Sequence, residues 1–333
     1  MRQACHLRLS LQLYLQRKLL TLYFLGMFNP RRFILYSMLA LLLTSAVAGA
    51  GTLPDLPQAA QDYQKRDAEI FYGPGTSLFK AREHTSFYNE HFGQYLQHGE
   101  IAVLAPGDLQ NHFDALARVV TYTHDRRQVA LMEQVFDRLL AAGVRRPENY
   151  RTLYRALLAI RDFDAAAAFL AAHPPKATEP LPHIVPLTDA VPADRTAWRA
   201  DPAARTLSRV RIDMPMGPYV IVYANPACRF SRAAVAAIHA DQAWTKQVAP
   251  HSKFLVPPDS NFSFDSLQAW NLDHPEETML FIHSLYEWPE LEEWSTPVFY
   301  FFRDRKLITT VHGWPPEGNL AAVKVATAAI GIP

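Results

Sequence analysis

"YANPACRFSR", Tyr223 to Arg232, decides how the second half of this chain folds. A short apolar run, Tyr219 to Tyr223, ends there between Gly217-Pro218 and Asn225-Pro226, as expected of a buried central strand. Pro226 blocks an earlier helix start, so the spacing predicts a helix from Cys228 to about Ala240, carrying Ala233, Ala234, Ala236, Ala237 and Ile238. Cys228 thus opens a helix just past a strand. Free backbone N–H groups of a first helical turn point at such a position, and the helix dipole favours negative charge there. A thiol so held ionises more readily than an ordinary one. Arg229 adds a positive charge next door, and Ser231 can donate a hydrogen bond to a thiolate. Ser231 also stands three residues on, where a second cysteine would complete a C-x-x-C pair.

Working outward, Leu207 to Ile212 is a weak strand candidate and Lys253 to Val256 a further short one. Helical segments are expected around Phe264 to Asn271 and Glu276 to Tyr286. "STPVFYFFRDRKLITTVHG", Ser295 to Gly313, reads as two strands joined at Asp304-Arg305, and Leu320 to Ile330 as a closing helix. Strand, strand, helix, strand, helices, hairpin, helix is an α/β order with one parallel crossover and one antiparallel pair.

Asn225-Pro226-Ala227-Cys228-Arg229-Phe230-Ser231 after a buried strand resembles the active-site turn of thioredoxin-fold proteins, especially secreted disulfide oxidoreductases. Ser295-Thr296-Pro297-Val298, about seventy residues later, resembles the second element of that superfamily. There a cis-proline faces the cysteine and presents backbone groups to a bound peptide, and X–Pro bonds adopt the cis form at modest cost. The resemblance covers roughly Thr206 to Pro333. It leaves room for an inserted helical segment, Ser260 to Trp288, and implies Cys228 and Ser231 as catalytic positions and Thr296 and Pro297 as substrate-binding ones.

The departure from that family is Ser231. A dithiol site attacks a substrate disulfide with its first cysteine and releases product with the second. Without the second, Cys228 forms a mixed disulfide that only an outside thiol resolves: a substrate cysteine, glutathione or a partner protein. The expected function is therefore monothiol thiol–disulfide exchange or shuffling with a protein thiol or disulfide. The alternative is a non-enzymatic thioredoxin-fold adaptor that binds a protein partner with the same surface, since fold alone does not fix function. A peroxidase would want Thr shortly before the cysteine, where Asn225, Pro226 and Ala227 stand. His239, His251 and His312 form no metal-ligand spacing with each other or with Cys228, and read as surface or neighbouring residues. Trp288 and Trp294 read as core or as the lining of a peptide groove. No phosphate loop or nucleophile elbow is present in the sequence, and no metal or cofactor is expected.

The N-terminal half has a different rhythm. Gln58 to Tyr72 is amphipathic and stops at Gly73-Pro74-Gly75; Ser77 to Gln97 is rich in Phe and Tyr. Apolar faces then recur at helical spacing through Phe113, Leu116 and Val120, through Leu131, Val135 and Leu139, through Tyr150, Leu153, Leu157 and Ile160, and through Phe163 to Leu170. Asp108 and Asp162 are expected N-caps and Gly143 a C′ stop. A helical domain over 51–175, bundle or repeat array, is expected to serve dimerisation or partner binding. His173 to Pro192 carries six prolines and no sustained period, so 176–205 reads as a semi-rigid linker and 206–333 as a thioredoxin-like domain.

Arg31 and Arg32, the apolar run Phe33 to Val47 and Ala48-Gly49-Ala50 follow the order of a secretory signal peptide, with Met27 the better natural start. A retained anchor at 33–48 is the minor alternative, because the run is shorter than the roughly 20 residues a spanning helix needs. Cys5 then leaves the mature chain, Cys228 remains alone, and the setting is expected to be periplasmic or secreted. The 333 residues carry a formal charge of +1, with 49% hydrophobic and 20% charged side chains. That balance suits a folded chain and provides no basic footprint for nucleic acid.

Overall fold

Helices begin where short polar side chains or prolines interrupt the chain. The computed structural model describes residues 55–97, 103–174, 180–189, 195–201, 203–258 and 262–333. The expected signal peptide, its start at Met27 and the alternative anchor at 33–48 lie outside them. Asp55 caps α1 (Leu56–Tyr72) by accepting from the Gln58 N–H. Thr76 caps α2 (Ser77–His91) by accepting from the Phe79 N–H. The long helix expected over Ser77 to Gln97 is broken at Phe92, and the short α3 (Gly93–Gln97) follows. Next come α4 (Pro106–Thr123), α5 (Arg126–Ala141), α6 (Pro147–Ala159) and α7 (Phe163–Ala172). Asp162 caps α7 as its position suggests, and Gly143 follows α5 with φ of 80°. Asp108 does not cap: Pro106, pre-set for a first helical position, starts α4 two residues earlier and leaves Asp108 in the first turn. Helix α4 packs against α1, α2, α5 and α6. Its Phe113, Leu116 and Val119 are buried at the centre of this helical part.

The second part is a mixed sheet. Its strands are β1 (His183–Val185), β2 (Thr196–Asp201), β3 (Thr206–Arg211), β4 (Pro218–Tyr223), β5 (Ser252–Val256), β6 (Met279–Ile282), β7 (Val298–Arg303) and β8 (Lys306–His312). Helix α8 (Arg229–Ala240) connects β4 to β5, α9 (Phe264–Asp273) precedes β6, and α10 (Leu320–Ala329) closes the chain. The order across the sheet is β1-β3-β2-β6-β5-β4-β7-β8. Strands β4, β5 and β6 run parallel, while β7 is antiparallel to β4 and β8 to β7. Asp304 and Arg305, with φ of 50° and 65°, make the β7–β8 turn. Positive φ at both central residues matches the twist of a two-residue hairpin.

Two expectations are corrected here. The segment Glu276 to Tyr286 is not a helix: Met279 to Ile282 form β6, flanked by single 3₁₀ turns, and all four are buried. A short apolar run has no period of its own, and pairing between β5 and β2 makes the choice. The segment 176–205, read as a linker, contains β1 and β2, with Thr196, Ala197 and Trp198 buried.

Alternate residues of the strands fill opposite faces. Tyr219, Ile221 and Tyr223 join Leu255, Leu280, Ile282, Tyr300 and Phe302 in one layer of core. Val220, Val222, Phe254, Phe299 and Phe301 are buried too, with Phe299 meeting the rings of Trp244 and Trp314. Helical part and sheet part belong to one compact unit, Pro54 to Pro333. Arg161, buried with φ of 57°, joins them: its Nε donates to the Ile282 carbonyl at 3.1 Å and its Nη1 to the Leu158 carbonyl at 3.0 Å. Phe163 meets Trp198 edge-on at 5.2 Å between centroids.

Candidate functional site

Strand β4 ends in the core at Tyr223, and the chain turns at once. The Asn225 side chain accepts from the Ala227 N–H at 2.8 Å, and the Asn225 carbonyl accepts from the Cys228 N–H at 2.9 Å. That pair of bonds makes a tight polar turn, and Pro226 fixes its backbone. Cys228 emerges as the N-cap of α8, extended at φ −82° and ψ 120°, with its carbonyl accepting the first helical bond from Arg232 at 3.0 Å. An N-cap side chain faces the unpaired N–H groups of the first turn. Here that side chain is a thiol.

Four groups act on the sulfur. Burial pushes the Cys228 thiol up, but the Ser231 N–H, the Thr296 side chain, the Ser231 hydroxyl and the Phe230 N–H together hold it below its ordinary value. In the protonated state the thiol donates to the Thr296 carbonyl at 3.4 Å. Cys228 is half-buried, so the sulfur is within reach of solvent. Ser231 is fully buried, and its oxygen accepts from the Asn225 N–H at 3.1 Å, which leaves its proton free to serve the sulfur. Arg229 lies over the exposed Phe230 ring at 4.5 Å from the centroid, and Arg232 donates to the Pro226 carbonyl at 3.0 Å. The helix terminus and its neighbours therefore favour a thiolate through N–H and O–H donors more than through a nearby guanidinium.

Of the residues singled out in the sequence, Cys228, Ser231 and Thr296 meet in one place although Thr296 is 68 residues from the cysteine. Pro297 follows through a cis peptide bond, and its carbonyl accepts from the Gly313 N–H at 2.9 Å. His239 pairs with Glu277 at 3.3 Å, and His239, His251 and His312 are all exposed. Among the described residues no group of three or more His, Cys, Asp or Glu is arranged to hold a metal ion. The two tryptophans differ: Trp288 is buried in the core, while Trp294 is only partly buried. Both border a cavity of about 600 Å³ whose far wall is Leu78, Ala81 and Thr85 of α2.

No family model, no curated protein and no solved structure matches this chain. The site's geometry therefore carries the functional reading unaided. One set of contacts was invisible in the sequence: Thr76, Ser77 and Leu78 bond to Glu292, Glu293 and Trp294, the residues leading into Thr296. They are 216 or so positions apart, and no local pattern announces them.

Proposed function

We propose that the sheet part contains a thioredoxin-like core, from β4 to α10, in which Cys228 carries out monothiol thiol–disulfide exchange with a protein partner. The observation that carries the reading is the thiol at the N-cap of α8, lowered by first-turn donors and 3.4 Å from the Thr296 carbonyl. Support comes also from topology. The set β5-β4-β7-β8 with α8 crossing from β4 to β5 and α10 after β8 is the strand order of that superfamily's core. Strands β1, β2, β3 and β6 extend it on one side. The charged, apolar and small-residue order of the sequence over 31–50 supports a setting outside the cytoplasm, an oxidising one in which such exchange has substrates.

The chemistry balances without a cofactor. The Cys228 thiolate attacks one sulfur of a substrate disulfide, a new S–S bond forms, and the other substrate sulfur leaves as a thiolate that takes a proton. A second thiol, either on the substrate or from a small thiol such as glutathione, then attacks the mixed disulfide and returns Cys228. When the substrate supplies the resolving thiol, one substrate disulfide is exchanged for another and the outcome is shuffling with no net oxidation. Ser231 stabilises the leaving Cys228 thiolate but cannot resolve the intermediate. Backbone groups at Thr296-Pro297 hold the substrate chain beside the sulfur.

The test is trapping. With a peptide disulfide as probe, the wild-type protein is expected to form a mixed disulfide through Cys228 that glutathione clears, and Cys228→Ser to form none. In cells, loss of function in Cys228→Ser supports exchange, whereas full function in that variant refutes it and leaves the adaptor reading, binding without bond exchange.

A further inference from the structure

The helical part meets the loop that leads into Thr296 at the start of α2. Ser77 is the first residue of α2, and its hydroxyl donates to the Glu293 carboxylate while its oxygen accepts from the Trp294 N–H at 3.0 Å. The same carboxylate oxygen accepts from the Ser295 N–H at 2.9 Å. Leu78 N–H donates to the Glu292 carbonyl at 2.9 Å, so the start of α2 runs beside Glu292 to Trp294. On the other side, the Tyr300 hydroxyl accepts from the Glu293 N–H at 3.0 Å and donates to the Glu293 carbonyl. Residues 292–295 are thereby clamped between a helix of the N-terminal part and β7 of the sheet. Thr296 comes next, and its carbonyl and side chain are what the Cys228 sulfur meets.

We infer that Ser77 is a positioning residue for Cys228: through Glu293 and Trp294 it holds Thr296, whose carbonyl lies 3.4 Å from the sulfur. The inference rests on the reading of Cys228 as a working nucleophile, but its measurement does not. Burial pushes the Glu293 carboxyl up, yet the Ser77 hydroxyl, the Ser295 N–H and side chain, and the charge of His312 together hold it ionised. Ser77 thus stabilises the carboxylate on which the Ser295 N–H depends. Removing the hydroxyl frees two hydrogen-bonding groups at once and lets 293–296 drift from the sulfur. A shift of a fraction of an ångström is enough to weaken a hydrogen bond that depends on distance and angle.

The experiment is iodoacetamide alkylation against pH in the full chain, read on the peptide that carries Cys228, for wild type, Ser77→Ala, Ser77→Thr and Ser77→Asp. Ser77→Ala is expected to react about threefold more slowly at neutral pH, the effect of a modest loss of thiolate. Ser77→Thr, which keeps the hydroxyl, is expected to react as wild type does. Should Ser77→Ala not fold, Ser77→Asp serves, because an acidic residue in the first turn supports α2 while its charge opposes Glu293; it too is expected to react more slowly. A wild-type pH profile in a folded Ser77→Ala or Ser77→Asp protein overturns the inference. Alkylation needs only a thiolate, so this result is independent of whether Cys228 exchanges disulfides, which the Cys228→Ser trapping experiment decides.

Discussion

Ser231→Ala removes one oxygen from the floor of the site and touches nothing on the surface. Ser231 is fully buried, its oxygen accepts from the Asn225 N–H at 3.1 Å, and its hydroxyl is one of the groups lowering the Cys228 thiol. The Ser231 N–H, which also lowers the thiol, survives in alanine. The change therefore isolates the side chain. A hydrogen bond to a charged group contributes roughly 1 kcal/mol more than a neutral one, and about 1 kcal/mol is near fivefold in the thiolate population. Alkylation of Cys228 at neutral pH is expected to slow by about three- to tenfold, with the plateau rate at high pH unchanged. The Asn225 N–H loses an acceptor at the same time, so unfolding in denaturant is expected to show a loss of about 1–2 kcal/mol. If stability falls as stated while the alkylation profile stays at wild type, the hydroxyl supports the turn but not the sulfur, and the account of Ser231 given above is wrong.

Two further outcomes probe the frame around the site. Burial pushes His84 and His112 down to about 4 and His124 down to about 3, against an ordinary value of 6.5, even though the Asp67 charge acts to raise His84. Between 6.5 and those values the unfolded chain binds more protons, so stability is present above 6.5 and is lost as pH falls toward 4, by up to ~1.4 kcal/mol per pH unit for each imidazole. Melting temperature is expected to drop between pH 7 and pH 5, with a shallower slope in His112→Gln, whose ring partner is the Tyr88 hydroxyl at 2.6 Å; an unchanged slope in that variant sinks the assignment. Arg161→Met keeps an unbranched stem in the buried site, two atoms shorter, but removes the donors to the Ile282 and Leu158 carbonyls. A loss of about 3 kcal/mol in chemical denaturation is expected, and a loss under 1 kcal/mol would mean that the helical part and β6 hold together without it.

Much of the site was legible because its chemistry is local. Cys228 at a helix start follows from an apolar run, a proline and the amphipathic stretch after it, all within a few positions. Strand β4 announced itself by a continuous apolar run between turn residues, and β7 by an aromatic-rich run ahead of Asp304-Arg305, while Asp162 and Gly143 did so by the roles that short polar side chains and glycine take at helix ends. What misled was shortness. Met279 to Ile282 holds four apolar residues, too few for a period, and only the neighbours β5 and β2 make it a strand. Thr196 to Asp201 follows a proline-rich stretch, inside the segment 176–205 that reads as a linker, and its partner β3 pulls it into the sheet through six paired residues.

The sequence by itself therefore determined that a thiol sits at a helix N-terminus with serine where a second cysteine would stand. Only the tertiary structure brought Thr296 to 3.4 Å from that thiol, buried Ser231 beneath it and set Ser77 of the helical part behind Glu293 and Trp294. The physical reason is range. Caps and turns are decided by backbone groups within four residues of one another, whereas a contact across 68 or 216 positions exists only once burial has folded the sheet and packed α2 against its loops.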